Sequence, residues 1–122
     1  GTYGDPAAIP SPVWKRVTRR VRTRTGYTHQ WRRRIAVGLK NLCMASADSA
    51  ADVLTATARG WRTFRVRKHD APALVSESVC PASLEGGRRT QCDRCALCRG
   101  ASIAARNIVI ADHGLMDARR RA

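Results

Sequence analysis

The sequence predicts an α/β fold: a small, mostly parallel sheet, open or part of a barrel, with a loop-rich four-cysteine metal-binding segment. Three observations predict it. Short β-prone runs alternate with helical segments along the chain, the order expected of strand–helix–strand units. The 122 residues are 43% hydrophobic, too apolar for a disordered chain and sufficient for one modest core. Four of the five cysteines lie between residues 80 and 98, and three of these recur at every third position. The chain is therefore read as one domain, 1–122, with 80–100 as a cysteine-rich segment inside it.

The elements follow in order. "GTYGDP" reads as a short strand ended by Pro6. "SPVWKRVTRRVRTRTG" predicts a helix from Pro12 to about Arg24, with Ser11 as cap, Pro12 at the first helical position and Gly26 beyond the end. On a helical wheel Val13, Trp14, Val17 and Val21 share an arc of about 100°, with Lys15, Arg16, Arg19, Arg20 and Arg22 opposite. The valines should then face inward and the cations outward. "GYTHQ" is a candidate strand, and "WRRRIAVGLKN" a second helix weakened by Gly38. "LCMASA" reads as a buried strand, with Cys43 an inert core residue. "DSAADVLTATARG" is a helix capped by Asp48 or Ser49 and stopped by Gly60. "WRTFRV" alternates as a strand should. Residues 68–79 read as a loop, Asn107–Ile110 as the last strand, and "MDARRRA" as a polar tail.

The charge is the second theme. Twenty-three Lys and Arg stand against 9 Asp and Glu, a net charge of +14. From Pro12 to Arg34 there are nine cations and no acid. An excess on that scale predicts a polyanionic partner, and nucleic acid is the commonest. The residues expected to contact it are Lys15, Arg16, Arg19, Arg20, Arg22, Arg32, Arg33 and Arg34. No apolar run approaches the roughly 20 residues that span a membrane. The N-terminus "GTYGDPAAIP" has no basic start and no apolar stretch, so it does not read as a signal peptide. The sequence is read as that of a cytoplasmic protein in a bacterial host cell, with no membrane partner. It begins without Met, as a trimmed or partial chain would.

Cys80, Cys92, Cys95 and Cys98 have the spacing C-x11-C-x2-C-x2-C. Four thiolates complete the tetrahedral shell of zinc. They equally complete the shell of a [4Fe–4S] cluster, which C-x2-C-x2-C runs often bind. Zinc is the reading adopted, with the cluster as its alternative. Arg88, Arg89, Arg94 and Arg99 would offset the negative charge of four thiolates. An odd cysteine count with three thiols on one short loop argues against a secreted disulfide scaffold.

In parallel α/β folds, ligands bind beyond the carboxyl ends of the strands. The polar residues placed there are Asp5, His29, Ser46, Asp48, Asp112 and His113. Asp5, His29, Asp48 and His113 are the candidates for catalysis or metal binding if they converge. Against this, Asp48 is also a natural helix cap and Asp5 a turn residue before proline. Nucleotide-binding and hydrolase loop motifs are absent.

As a set, "TYGDPAAIP", "TGYTHQW", "LCMAS" with "GWRTFRV", then "CPAS", "CDRCALC" and "IADHG" resemble an uncharacterised family of bacteriophage and mobile-element proteins. The resemblance spans most of the chain. It implies a phage or plasmid setting and a cysteine metal site, but no reaction. Members of that family are longer, with further N-terminal cysteines that this chain lacks. Three functions then compete: a nucleic-acid-binding module stapled by metal, a metal-containing enzyme acting on nucleic acid, and a phage regulatory protein that binds a host protein.

Overall fold

A computed structural model of the chain describes residues 4–112. Its frame is one all-parallel sheet of β1 (Tyr27–Thr28), β2 (Met44–Ala47), β3 (Thr63–Arg67), β4 (Glu77–Val79) and β5 (Asn107–Ala111), in the order β1-β2-β3-β5-β4. The sheet is open, so the α/β prediction holds and the barrel option does not.

The order explains the layers. From β1 to β4 the chain steps one way across the sheet, then returns to insert β5 between β3 and β4. Right-handed crossovers put connections that step in opposite directions on opposite faces. The buried side chains divide the same way, because neighbouring residues of a strand point to opposite faces. Ala45 joins Ala7, Trp31, Ala36, Leu39, Cys43, Ala56 and Trp61 in one cluster. Met44 joins Ile108 and Cys98 in the other, with Tyr27, Phe64, Cys80 and Leu97 packed against them. We call these the helix face and the cysteine face.

Helix α1 (Ser11–Thr18), a 3-10 helix over Arg34–Leu39 and helix α2 (Ala50–Ala58) belong to the helix face. Ser49 caps α2, its hydroxyl accepting from the Asp52 N–H at 3.1 Å, and α2 buries Val53 and Ala56. Gly38 lets α1 approach the 3-10 helix, since a Cβ there would overlap Ser11 Oγ. Nearer β4, buried Arg65 reaches past β5 to buried Glu77 through two bonds of 2.7 Å. Glu77 also accepts from the Leu74 N–H at 2.9 Å, which ties down the 68–76 connection.

Several expectations are corrected. Of "GTYGDP", residues 1–3 lie outside the described residues, and Asp5 caps a 3-10 helix over Pro6–Ala8 where a strand was expected. Helix α1 ends at Thr18, well before Arg24. Lys15 with Arg19 and Arg16 with Arg20 are like charges four apart, which oppose helix continuation. The inward valines are also wrong: Val13, Val17 and Val21 are 47%, 63% and 49% exposed. Ser11, Trp14 and Thr18, at helical spacing, form the less exposed stripe. One Trp, held by its indole N–H donating to the Pro6 carbonyl at 2.7 Å, outweighs three small valines.

The expected second helix is a single 3-10 stretch. Three arginines at its start oppose the helix dipole, and Ile35 and Val37 are β-branched. The loop 68–79 conceals β4, a three-residue strand whose partner, β5, lies far along the chain. His113 and the "MDARRRA" tail lie outside the described residues.

Candidate metal centre and cationic surface

β4 runs directly into Cys80, whose N–H continues the ladder to the Val109 carbonyl at 2.9 Å. Ser83 turns the chain beneath it, with its N–H and hydroxyl both donating to the Cys80 carbonyl, at 3.1 and 2.6 Å. Gly86 closes against that carbonyl, where a Cβ would overlap the oxygen. The other three cysteines come from one tight unit. Cys92–Cys95 is a single helical turn, α3, ended by Ala96 in the left-handed region at φ 52°. For a residue with a Cβ that conformation costs about 1–2 kcal/mol. It turns the chain back so that Cys98 is buried against Met44 and Ile108.

All four thiols are free, and all four line one small pocket of about 20 Å³ together with Tyr27 and Leu97. That is room for a single small ion or water. Cys98 is buried, Cys80 and Cys95 are half-buried, and Cys92 is exposed. As the side chains stand, no three Cys, His, Asp or Glu residues among those described converge closely enough to hold a metal ion. The donor set nonetheless suits a thiolate-bound ion such as zinc, with four sulfurs around one cavity from two well-anchored pieces of chain, and the cavity's volume fits one ion better than a four-iron cluster.

The surroundings act on these thiols. Burial, chiefly, pushes the Cys98 thiol up to about 11. Burial also raises the Tyr27 phenol, with the neighbouring Cys98 sulfur adding to it and Cys92 and Cys80 contributing less. Arg62 enters from the first residue before β3. Its guanidinium donates to the carbonyls of Leu97, Gly100, Ala105 and Arg106, at 2.6–2.9 Å. One buried cation therefore holds the chain on both sides of the return to β5, while burial lowers its own pKa. Sequence reasoning missed both Tyr27 and Arg62. The signal for Arg62 was its place two residues from Phe64, on the same face of an alternating strand. Cys43 is an inert core thiol, as expected: it is buried on the helix face and pushed up to about 12 by burial.

The cationic residues lie where solvent reaches them. Lys15, Arg16, Arg19, Arg20, Arg22, Arg32, Arg33 and Arg34 are all exposed. Arg32 is engaged: it pairs with Asp52 and stacks on Trp31 with its Cζ 3.9 Å from the ring centroid. That hydrogen bond and the Asp48 N–H hold the Asp52 carboxyl below its ordinary value. Arg33 makes one long bond to Gln30, at 3.4 Å. Lys15, Arg16, Arg19, Arg20, Arg22 and Arg34 form no ion pair or side-chain hydrogen bond among the described residues.

Three of the four catalytic candidates come together at the carboxyl ends of β1 and β2. Asp5 accepts from the N–H of Ala7 at 2.9 Å, the hydroxyl of Thr28 at 2.7 Å and the N–H of His29 at 2.8 Å. Burial alone would raise its pKa, but these donors outweigh it and lower it. His29 Nε2 lies 3.8 Å from Asp48, and both side chains are mostly in solvent. Asp5 thus acts as a buckle that joins the N-terminal 3-10 helix to β1, and the His29–Asp48 pair stands open at the surface.

No helix among the described residues is long and apolar enough to cross a membrane. No family model, curated protein or solved structure matches the chain, so the phage and mobile-element resemblance rests on the segments quoted for it.

Proposed function

We propose that this chain is a nucleic-acid-binding module stapled by a metal held between Cys80, Cys92, Cys95 and Cys98, working inside a bacterial cell in a phage or mobile-element setting. The observation that carries the reading is the set of six exposed cations, from Lys15 to Arg34, that have no partner among the described residues. Charges left unpaired within the fold remain free to meet phosphates, and each contact releases condensed counterions. The exposed valines of α1 fit the same reading, since that helix is held by Trp14 and leaves its outer surface free.

Zinc is the metal we favour, with a [4Fe–4S] cluster as the alternative. When bound, it would neutralise thiolates and join the end of β4 to the 92–98 turn. This chain supplies the sulfurs, the Arg62 clamp and the Tyr27 hydroxyl beside them. Enzyme action on nucleic acid has weaker support, because the oxygens of Asp5 are engaged in holding backbone.

Binding to duplex DNA and to RNA across a salt series tests the proposal. The logarithm of the binding constant should fall linearly with log salt, at about −0.9 per phosphate contacted on the duplex. An absence of binding in about 50 mM salt would contradict it. Tight binding to an acidic host protein that ignores salt would instead favour the regulatory-protein alternative.

A further inference from the structure

We infer that the cleft beside α1 takes one unpaired base of a single-stranded nucleic acid, an inference that rests on the nucleic-acid reading and adds a subsite to it. The cleft has a volume of about 220 Å³, and its walls include Trp14, Thr18, Arg24, Thr25, Leu39 and Leu42. Pockets for drug-sized ligands run to roughly 300–1,000 Å³, so this one suits a single planar ring system. Trp14 is half-buried, and its indole N–H is fixed on the Pro6 carbonyl at 2.7 Å. Its orientation is therefore set before any ligand arrives, and base-on-aromatic stacking tolerates any sequence because every base has a π-face.

Charge complementarity selects the occupant. The segment that supplies Trp14 and Thr18 to the wall also carries Lys15, Arg16, Arg19, Arg20 and Arg22, all exposed and none paired among the described residues. An apolar slot lined by Arg24, on a segment with nine cations and no acid between Pro12 and Arg34, matches a base attached to phosphates. Arg24 brings a cation into the wall itself, held in place by its Nη2 donating to the Asn41 carbonyl at 2.9 Å. A second groove, of about 240 Å³, shares Arg24 and Thr25 with the cleft and runs on to Cys92 and Asp93, whose carboxylate is the one acid along it. It gives the adjoining nucleotide a path toward the cysteine face. A base held in a duplex cannot enter, because it remains stacked and paired.

The test compares a short oligothymidylate with an abasic strand of the same length, which keeps every phosphate and lacks the bases. The full chain should bind the intact strand about tenfold more tightly. Only the intact strand should quench Trp14 fluorescence; Trp31 and Trp61 are 2% and 3% exposed and out of reach. Thr18→Phe, which fills the cleft, should reduce the preference to less than about twofold. Should Thr18→Phe fail to fold, quenching in the parent chain still decides the matter. Equal binding of the two strands without quenching overturns the base site and leaves phosphate binding standing. No binding of either strand in low salt overturns the nucleic-acid reading and the base site with it.

Discussion

On the helix face, Leu39 of the 3-10 helix, Val53 and Ala56 of α2, and Trp31 and Trp61 are each at most 3% exposed. On the cysteine face the buried set is Met44, Cys98 and Ile108, and the segment above them has a single helical turn. Fully burying a Leu- or Phe-sized side chain stabilises by about 1.5–3 kcal/mol, so the first face holds itself. The second relies on directed bonds: Arg62 on four carbonyls, Ser83 on Cys80, and sulfurs gathered round a pocket. One sheet thus carries an apolar layer and a layer held mainly by directed polar bonds. The four clustered cysteines lie on the face with fewer buried apolar side chains, which is where the proposed metal would add most.

The comparison breaks most sharply at Cys95. Replacement by Ser should abolish metal content, together with most of the cooperative melting transition. Structural zinc contributes on the order of 10–16 kcal/mol in isolated fingers, comparable to the whole stability of a domain at about 5–15 kcal/mol. Cys43→Ser, in the same chain but on the helix face, should retain its metal. Identical melting of Cys95→Ser and parent would remove the staple from the account. Next in size is Leu39→Ala on the helix face, which should cost about 2–5 kcal/mol through a cavity. Its metal content, read by elemental analysis, should be unchanged.

Arg62→Met sharpens the picture of the cysteine face. It leaves four carbonyls without their donor, and about 3 kcal/mol of stability should be lost in denaturant titration. A variant as stable as the parent would show that the carbonyls find other donors. Asp5→Ala, on the buckle, should cost about 1 kcal/mol. Its folded pKa lies below the ordinary 3.8, so its contribution is full above that value and fades as pH falls through the folded pKa. The parent should therefore lose stability below about pH 4 more steeply than Asp5→Ala, and parallel curves would assign the carboxylate no such part.

How far the sequence discloses this can be judged residue by residue. β2, α2, β3 and β5 are legible because "LCMASA", "DSAADVLTATARG", "WRTFRV" and "NIVI" each carry a local signal, either a cap or a β-rich run. β4 is not, because "ESV" becomes a strand only through β5, and that pairing is tertiary. The orientation of α1 also misled, since the wheel groups Trp14 with three valines, while the indole N–H reaching Pro6 turns the Ser11, Trp14 and Thr18 side inward. The four cysteines were legible from spacing and share a pocket, yet nothing in their spacing indicated Tyr27 beside them. The cations were legible as a group, but the Arg32–Asp52 pair depends on residues brought together by folding.

The smallest effect on stability accompanies the most direct test of function. Arg16, Arg19 and Arg20 are exposed and unpaired among the described residues, so changing all three to Ala should leave the melting temperature almost unchanged. It should flatten the slope of log affinity against log salt by up to about 3 and weaken binding to all sequences alike. A salt titration of duplex binding by the parent and the triple variant side by side tests directly whether these cations hold phosphates. Two lines of different slope that converge as salt rises are expected. Superimposed lines in low and moderate salt would mean that Arg16, Arg19 and Arg20 are only a solvated face, and the binding module would be contradicted.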